Sequence, residues 1–214
     1  MEVALDWLSY RLSHPEAIIY EVSTALLYPV LFAEVIALAV ALIEAGRFTV
    51  ELWRRRWPRS VEALKALGEE VKAKLQRGEL QDAVTLLGTT HPRSPHSRFF
   101  LGLEGPADLE RTILLKRLDE FERRAARKLE RTRVLVRIGP SLGLMGTLIP
   151  ISPALIALAQ GDIQTLSSSL IIAFSTTVDG LFIGLIAYII SAVRDRLYAR
   201  DMSDIEYILE VSEL

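Results

Sequence analysis

The chain has 214 residues, 50% of them hydrophobic, with 25 basic and 27 acidic side chains and a formal net charge of −2. It has no cysteine, which excludes disulfides, thiolate catalysis and cysteine-based metal sites. His14, His91 and His96 all lie outside the apolar stretches, in Pro- and Ser-containing segments, and read as solvated loop residues; no metal or cofactor is expected. A soluble domain of this length spreads its apolar residues at helix or strand period. Here they are clumped into three stretches of membrane-spanning length, and the charges crowd the middle and the C-terminus.

The expected fold is all-α: a polytopic membrane protein with three transmembrane helices and a cytoplasmic helical domain continuous with them. Residues 1–17 form an outer N-terminal segment. Glu2 and Asp6 precede the first apolar run and no early basic region does, so a signal peptide is not expected. The first transmembrane helix takes 18–45, with its apolar run from Ile18 to Ile43 interrupted by Glu21 and Glu34.

Residues 46–137 form the helical domain. Val61, Leu64, Leu67, Val71 and Leu75 recur at helix spacing up to Gly78, and a second short helix covers 79–88. The run His91-Pro92-Arg93-Ser94-Pro95 breaks the chain. From Pro106 the sequence has no breaker up to Arg137, and Leu114, Leu118, Phe121, Ala125, Leu129, Thr132 and Val136 share one face. This helix is expected to run on into the second transmembrane helix, 138–159. A tight outer loop at 160–165 leads to the third, 166–193, which only Asp179 interrupts, and 194–214 form a cytoplasmic tail.

Orientation follows from the basic residues. All but Arg11, Arg194, Arg196 and Arg200 of the 25 lie between 47 and 137, and the short 160–165 loop has none. Arg47, Arg54, Arg55 and Arg56 flank one membrane end, and Arg131, Arg133 and Arg137 another. By the positive-inside rule the N-terminus and the hairpin loop are outside, and the long loop and the tail are cytoplasmic. Trp53 and Trp57 bracket the arginine cluster as interfacial anchors; Trp7, Tyr10 and Tyr20 suit the outer face. The basic loop also holds many acids, and topology already accounts for its bases, so nucleic acid is not an expected partner.

Chemistry concentrates in the second and third spans. Gly139 and Gly143, and likewise Gly180 and Gly184, are four apart and lie on one helix face, where small residues let helices approach closely; Gly146 adds to the first set. Thr147, Thr176 and Thr177 carry hydroxyls into the membrane, as pore-lining or interhelical groups. Asp179 and Glu34 sit at similar depth near mid-bilayer, where a charge costs at least about 3 kcal/mol. Each either handles protons or stands as a neutral acid sheltered between helices. Thr177 and Asp179 are about 200° apart around the helix, so they face different ways, with the first span a candidate neighbour for Asp179; Thr176 and Asp179 share a face. With neither His nor Cys in the spans, an intramembrane enzyme is not expected.

The stretch Gly139-Pro140-x-Leu142-Gly143-Leu144-x-Gly146-Thr147 resembles the second-span signature of the MotA/TolQ/ExbB proton-channel family. Ala173-Phe174-x-Thr176-Thr177-x-x-Gly180-Leu181 resembles its third-span signature. The likeness is specific over about 130–200, and three spans place it nearer the TolQ/ExbB arm than the MotA arm. It implies a homo-pentameric ring in the cell (inner) membrane around a dimer of single-span ExbD/TolR/MotB-like partners, whose membrane Asp carries protons to drive a motor. Thr147 and Thr177 match the family's pore-facing threonines. ExbB-type members carry a third-span Glu five residues before Thr177; that position here is Ile172. The rival to an ion-conducting ring is a non-conducting membrane scaffold, in which the Gly and Thr residues serve assembly alone.

Overall fold

The computed structural model describes residues 15–55, 61–89, 99–100 and 111–212. His14, His91, His96, Trp7, Tyr10, Arg56, Trp57, the Pro-containing break at 91–95 and the expected helix start at Pro106 lie outside these residues. Among the described residues the structure is all-helical, with no strand. The helices are α1 (Pro15–Ala25), α2 (Leu27–Arg54), α3 (Val61–Gln76), α4 (Leu80–Thr89), α5 (Arg111–Ala159) and α6 (Ile163–Val211). Three stretches are long and apolar enough to cross a membrane: Glu16–Trp53, Thr112–Ala159 and Ile163–Val211. The chain is thus a multi-pass membrane protein.

The first apolar run is interrupted at Leu26, where sequence reading draws one continuous helix. Pro29 explains the break. Its ring has no N–H to give the carbonyl of Ala25 and crowds that carbonyl, which is four residues back. The chain stays hydrogen-bonded around the break, with Leu26 N–H donating to Val22 and Val30 N–H to Leu26. α5 instead carries Pro140, Pro150 and Pro153 without a break in its 49 residues. Such prolines persist where neighbouring helices and hydroxyls satisfy the freed backbone groups. α6 also has 49 residues. At 1.5 Å per residue each helix is about 73 Å long, more than twice the hydrocarbon thickness, so both must continue beyond the bilayer. The tail from Arg194 to Val211 is therefore helix, a continuation of α6.

Two helix ends are built alike. Gly78 and Gly161 both have φ of +77°, a left-handed conformation that costs glycine nothing. Around Gly161, the Gly161 N–H donates to Leu158 and the Asp162 N–H to Ala157, closing α5 in a Schellman turn. Asp162 then caps α6: it accepts from the Thr165 amide at 3.1 Å and the Thr165 hydroxyl at 2.6 Å. That hydroxyl bond, with the Thr165 amide, holds the Asp162 carboxyl below the ordinary carboxylate range. The cap is thus complete above that range and is lost as falling pH protonates Asp162.

The chain divides into two compact units. One comprises the chain up to Glu44 and Arg133–Tyr188. Its core is Ala37, Ala41, Leu135, Ile183 and Ala187, and it turns its large apolar side chains outward: Tyr28, Phe32, Leu148, Phe174 and Val178 are all exposed. Small residues inside and large apolar ones outside is the pattern of helices packed in lipid, where burying Leu or Phe yields no hydrophobic gain.

The other unit comprises Ala45–Thr132 and Ile189–Leu214. It has a core of large apolar side chains, Leu67, Val71, Leu87, Phe100, Leu114 and Ile208. The face of α5 expected from spacing is the buried one: Leu114 and Leu129 are buried, and Leu118 and Phe121 pack partly buried. Phe99 meets Phe100 and Phe121 edge-on, at 4.9 and 6.3 Å. Within this unit Arg55 bridges Glu51 (2.9 Å) and Asp201 (2.7 Å), and Arg194 reaches Glu51 at 3.2 Å. The guanidiniums also lie over rings, Arg55 on Tyr198 and Arg194 on Phe48.

The Asp201 side chain is only 1% exposed. Removing it leaves the half-buried Arg55 guanidinium with Glu51 alone, so Asp201→Ala should destabilise by about 2 kcal/mol, read as a lower thermal midpoint in detergent. Arg55→Met combined with Asp201→Leu removes both charges and should recover most of that loss.

Candidate ion-pathway site

The site lies where α5 and α6 touch backbone to backbone. A Cβ placed on Gly180 would lie 2.6 Å from the carbonyl oxygen of Gly139 and 2.7 Å from the Cα of Gly143. One on Gly139 would meet the Gly180 carbonyl oxygen and the Gly184 nitrogen, both at 2.9 Å. One on Gly143 would meet the Thr176 carbonyl oxygen at 2.9 Å, and one on Gly184 the Pro140 ring at 2.8 Å. Gly146 faces the Thr176 side chain at 2.7 Å. None of these neighbours except the Thr176 side chain can rotate away.

This contact sets the threonines. Thr147 on α5 and Thr177 on α6 are joined hydroxyl to hydroxyl across the hairpin. Thr147 is also 2.8 Å from the Gly143 carbonyl and 3.3 Å from that of Ala173, and Thr177 is 3.1 Å from Ala173. Each hydroxyl has one proton to give and two lone pairs to accept with. The pair therefore has two protons for several acceptors, and it keeps spare accepting capacity on its half-buried edge. Thr176 is buried against Gly146 and bonds its own Ala173 carbonyl at 3.0 Å. Although three residues apart, Thr176 and Asp179 are placed differently: Thr176 is buried while Asp179 is exposed.

Of the two acids, Glu34 is buried and Asp179 is exposed. Glu34 lies in the buried stripe of α2 with Val30, Ala37 and Ala41, and is 4% exposed. Ile172, at the family's Glu position, is exposed. Among the described residues no cluster of three or more His, Asp or Glu side chains is arranged to hold a metal. Sequence reading did not anticipate the Arg55–Asp201 and Arg194–Glu51 pairs, whose signal was two acids set near clustered bases.

Gly180→Ala should force α5 and α6 apart and lower the thermal midpoint markedly, because its methyl meets backbone on two sides. Gly46→Ala is the matched control. It meets nothing within 4 Å and should be neutral or stabilise by up to about 1 kcal/mol.

Comparison with known proteins adds one finding. No curated protein and no solved structure matched the chain. A family description did: the MotA/TolQ/ExbB proton channel family, over residues 96–207. The match covers more than half of the chain and includes the whole glycine-packed hairpin with its threonine pair, and on that ground the chain belongs to the MotA/TolQ/ExbB proton channel family.

Proposed function

We propose that the chain is the ring-forming subunit of a proton-driven membrane motor of the TolQ/ExbB kind. It would assemble as a homo-pentamer around a single-span ExbD/TolR/MotB-like partner and conduct ions with it to do mechanical work across the envelope. The observation that carries this reading is the Thr147–Thr177 pair at the half-buried edge of the hairpin. Both residues lie in the stretch matched to the proton channel family. A partner Asp brought to this edge loses its hydration, and the spare hydroxyl lone pairs replace part of it when the acid is protonated and donating.

In this reading the transmembrane helices are 18–45, 138–159 and 166–193. The 1–17 segment and the 160–165 loop are outside, and 46–137 and 194–214 are cytoplasmic, in the cell (inner) membrane. The distribution of basic residues supports the orientation. Thr147 and Thr177 face the partner, with Thr176, Asp179 and Glu34 set behind them, while Gly139, Gly143, Gly146, Gly180 and Gly184 hold the hairpin closed.

The second reading, a non-conducting scaffold, draws on the same hydrogen bonds. Thr147, Thr176 and Thr177 each already have a helix carbonyl within reach, as a purely structural pin requires.

Flux in proteoliposomes containing the partner separates the two. Thr177→Val keeps the shape and removes the hydroxyl. On the motor reading it should abolish flux and leave the ring assembled; unchanged flux sinks the proposed pore face. Orientation is tested separately in intact cells. A cysteine at Ser94 should be shielded from impermeant thiol reagents and one at Gln164 should react, and the reverse pattern would overturn the topology.

A further inference from the structure

Where α5 enters its apolar stretch, four exposed side chains stand in two adjacent rows. Arg133 and Arg137 are one turn apart on one row, and Val134 and Ile138 are one turn apart on the next. Val134 is 46% exposed and Ile138 44%. The apolar row continues into the span at Met145, two turns beyond Ile138 and also exposed. All five residues belong to the membrane-crossing unit.

Charge on this helix is balanced away from the span and unbalanced beside it. Arg123 and Arg124 are matched by Asp119 at 2.9 Å and Glu120 at 3.3 Å. Glu130 is the last acid of α5, and none follows it to Ala159, while Arg131, Arg133 and Arg137 do. In the placement proposed above, Arg137 directly precedes the second span. Arg133 lies about 6 Å before Arg137 along the axis, within a headgroup layer about 5 to 7 Å deep on each side of the hydrocarbon. Ile138 is nine residues before Thr147, about 180° around the helix, so the apolar row looks away from the threonine edge.

Water alone would satisfy the arginines but leave the apolar row uncovered. A phospholipid covers both: its phosphate accepts from the guanidiniums and an acyl chain lies along the row. The excess of positive charge selects a lipid of net negative charge over a zwitterionic one. We propose that Arg133, Val134, Arg137 and Ile138 form a binding site for an anionic phospholipid of the cytoplasmic leaflet. The phosphate is held between the two guanidiniums, and one acyl chain rests on Ile138 and Met145. The site is separate from the threonine pair and faces the bilayer rather than the ion pathway. The inference rests on the membrane orientation proposed above and adds a lipid ligand to it.

Native mass spectrometry tests it on the full-length chain, extracted in detergent without any partner. The chain is supplied with equal amounts of phosphatidylglycerol and phosphatidylcholine bearing the same acyl chains. Phosphatidylglycerol should be retained about thirtyfold over phosphatidylcholine, the combined attraction of two basic side chains for an anionic lipid. Arg133→Gln with Arg137→Gln should bring the ratio near one. Arg123→Gln with Arg124→Gln removes as much charge farther from the span and should leave the ratio unchanged. Should the first double variant fail to fold, Arg137→Gln alone should lower the ratio about fivefold. Ile138→Ser should weaken retention of both lipids. Equal retention of the two lipids by the unaltered chain overturns the proposal, as does an equal fall in both double variants, which makes the effect one of diffuse charge. Displacement by excess glycerol phosphate overturns it by making the ligand a soluble phosphate. Loss of the assembly with Arg133→Gln and Arg137→Gln overturns it by making the face a contact between copies. Retention requires no partner and no flux. A ring that conducts without preferring phosphatidylglycerol overturns this inference alone, and a chain that holds the lipid but never conducts overturns the motor reading alone.

Discussion

Gly139, Gly143 and Gly180 let α5 and α6 meet at backbone distance, and the remaining features of the membrane unit depend on that contact. In lipid there is no hydrophobic gain from pairing helices, so association rests on close van der Waals packing and polar bonds. At Gly180 even one methyl group would lie within 2.7 Å of backbone atoms. The closeness also brings Thr147 within reach of Thr177, since short β-hydroxyls cannot bridge helices at ordinary spacing. The hairpin turn serves the same end. Gly161 reverses the chain in three residues, and Asp162 immediately starts the returning helix.

The charged unit works under different rules. Its core of Leu67, Val71, Phe100 and Ile208 buries large apolar side chains. Arginines also serve packing there. Arg55 and Arg194 join acids on both α2 and α6, and each lies over an aromatic ring. A charge pair so deeply buried is favourable only while every partner is present, so these residues couple the two helices more firmly than their count suggests.

Much of the helical plan was legible because it is written in local spacing. The apolar face of α5 follows from residues such as Leu114, Leu118 and Phe121, and Gly78 marks a helix end by its conformational freedom. The break at Leu26 was also written locally, in Pro29, but a hydrophobicity reading overlooks a proline inside an apolar run. The site was legible in part. Helix geometry separates Thr177 from Asp179 by about 200°, yet nothing local says which helix lies opposite either one. That Thr177 meets Thr147 is a property of tertiary packing. The same holds for the arginine network, whose members Glu51 and Asp201 are far apart in sequence and look like ordinary solvated acids.

In the proposed motor, identical subunits form a ring whose threonine edges face a shared centre. Native mass spectrometry of the detergent-extracted chain, co-expressed with a single-span partner bearing a membrane Asp, measures that claim most directly. The account predicts a homo-pentamer that retains the partner. A stable monomer or dimer, unchanged by the partner, would contradict it.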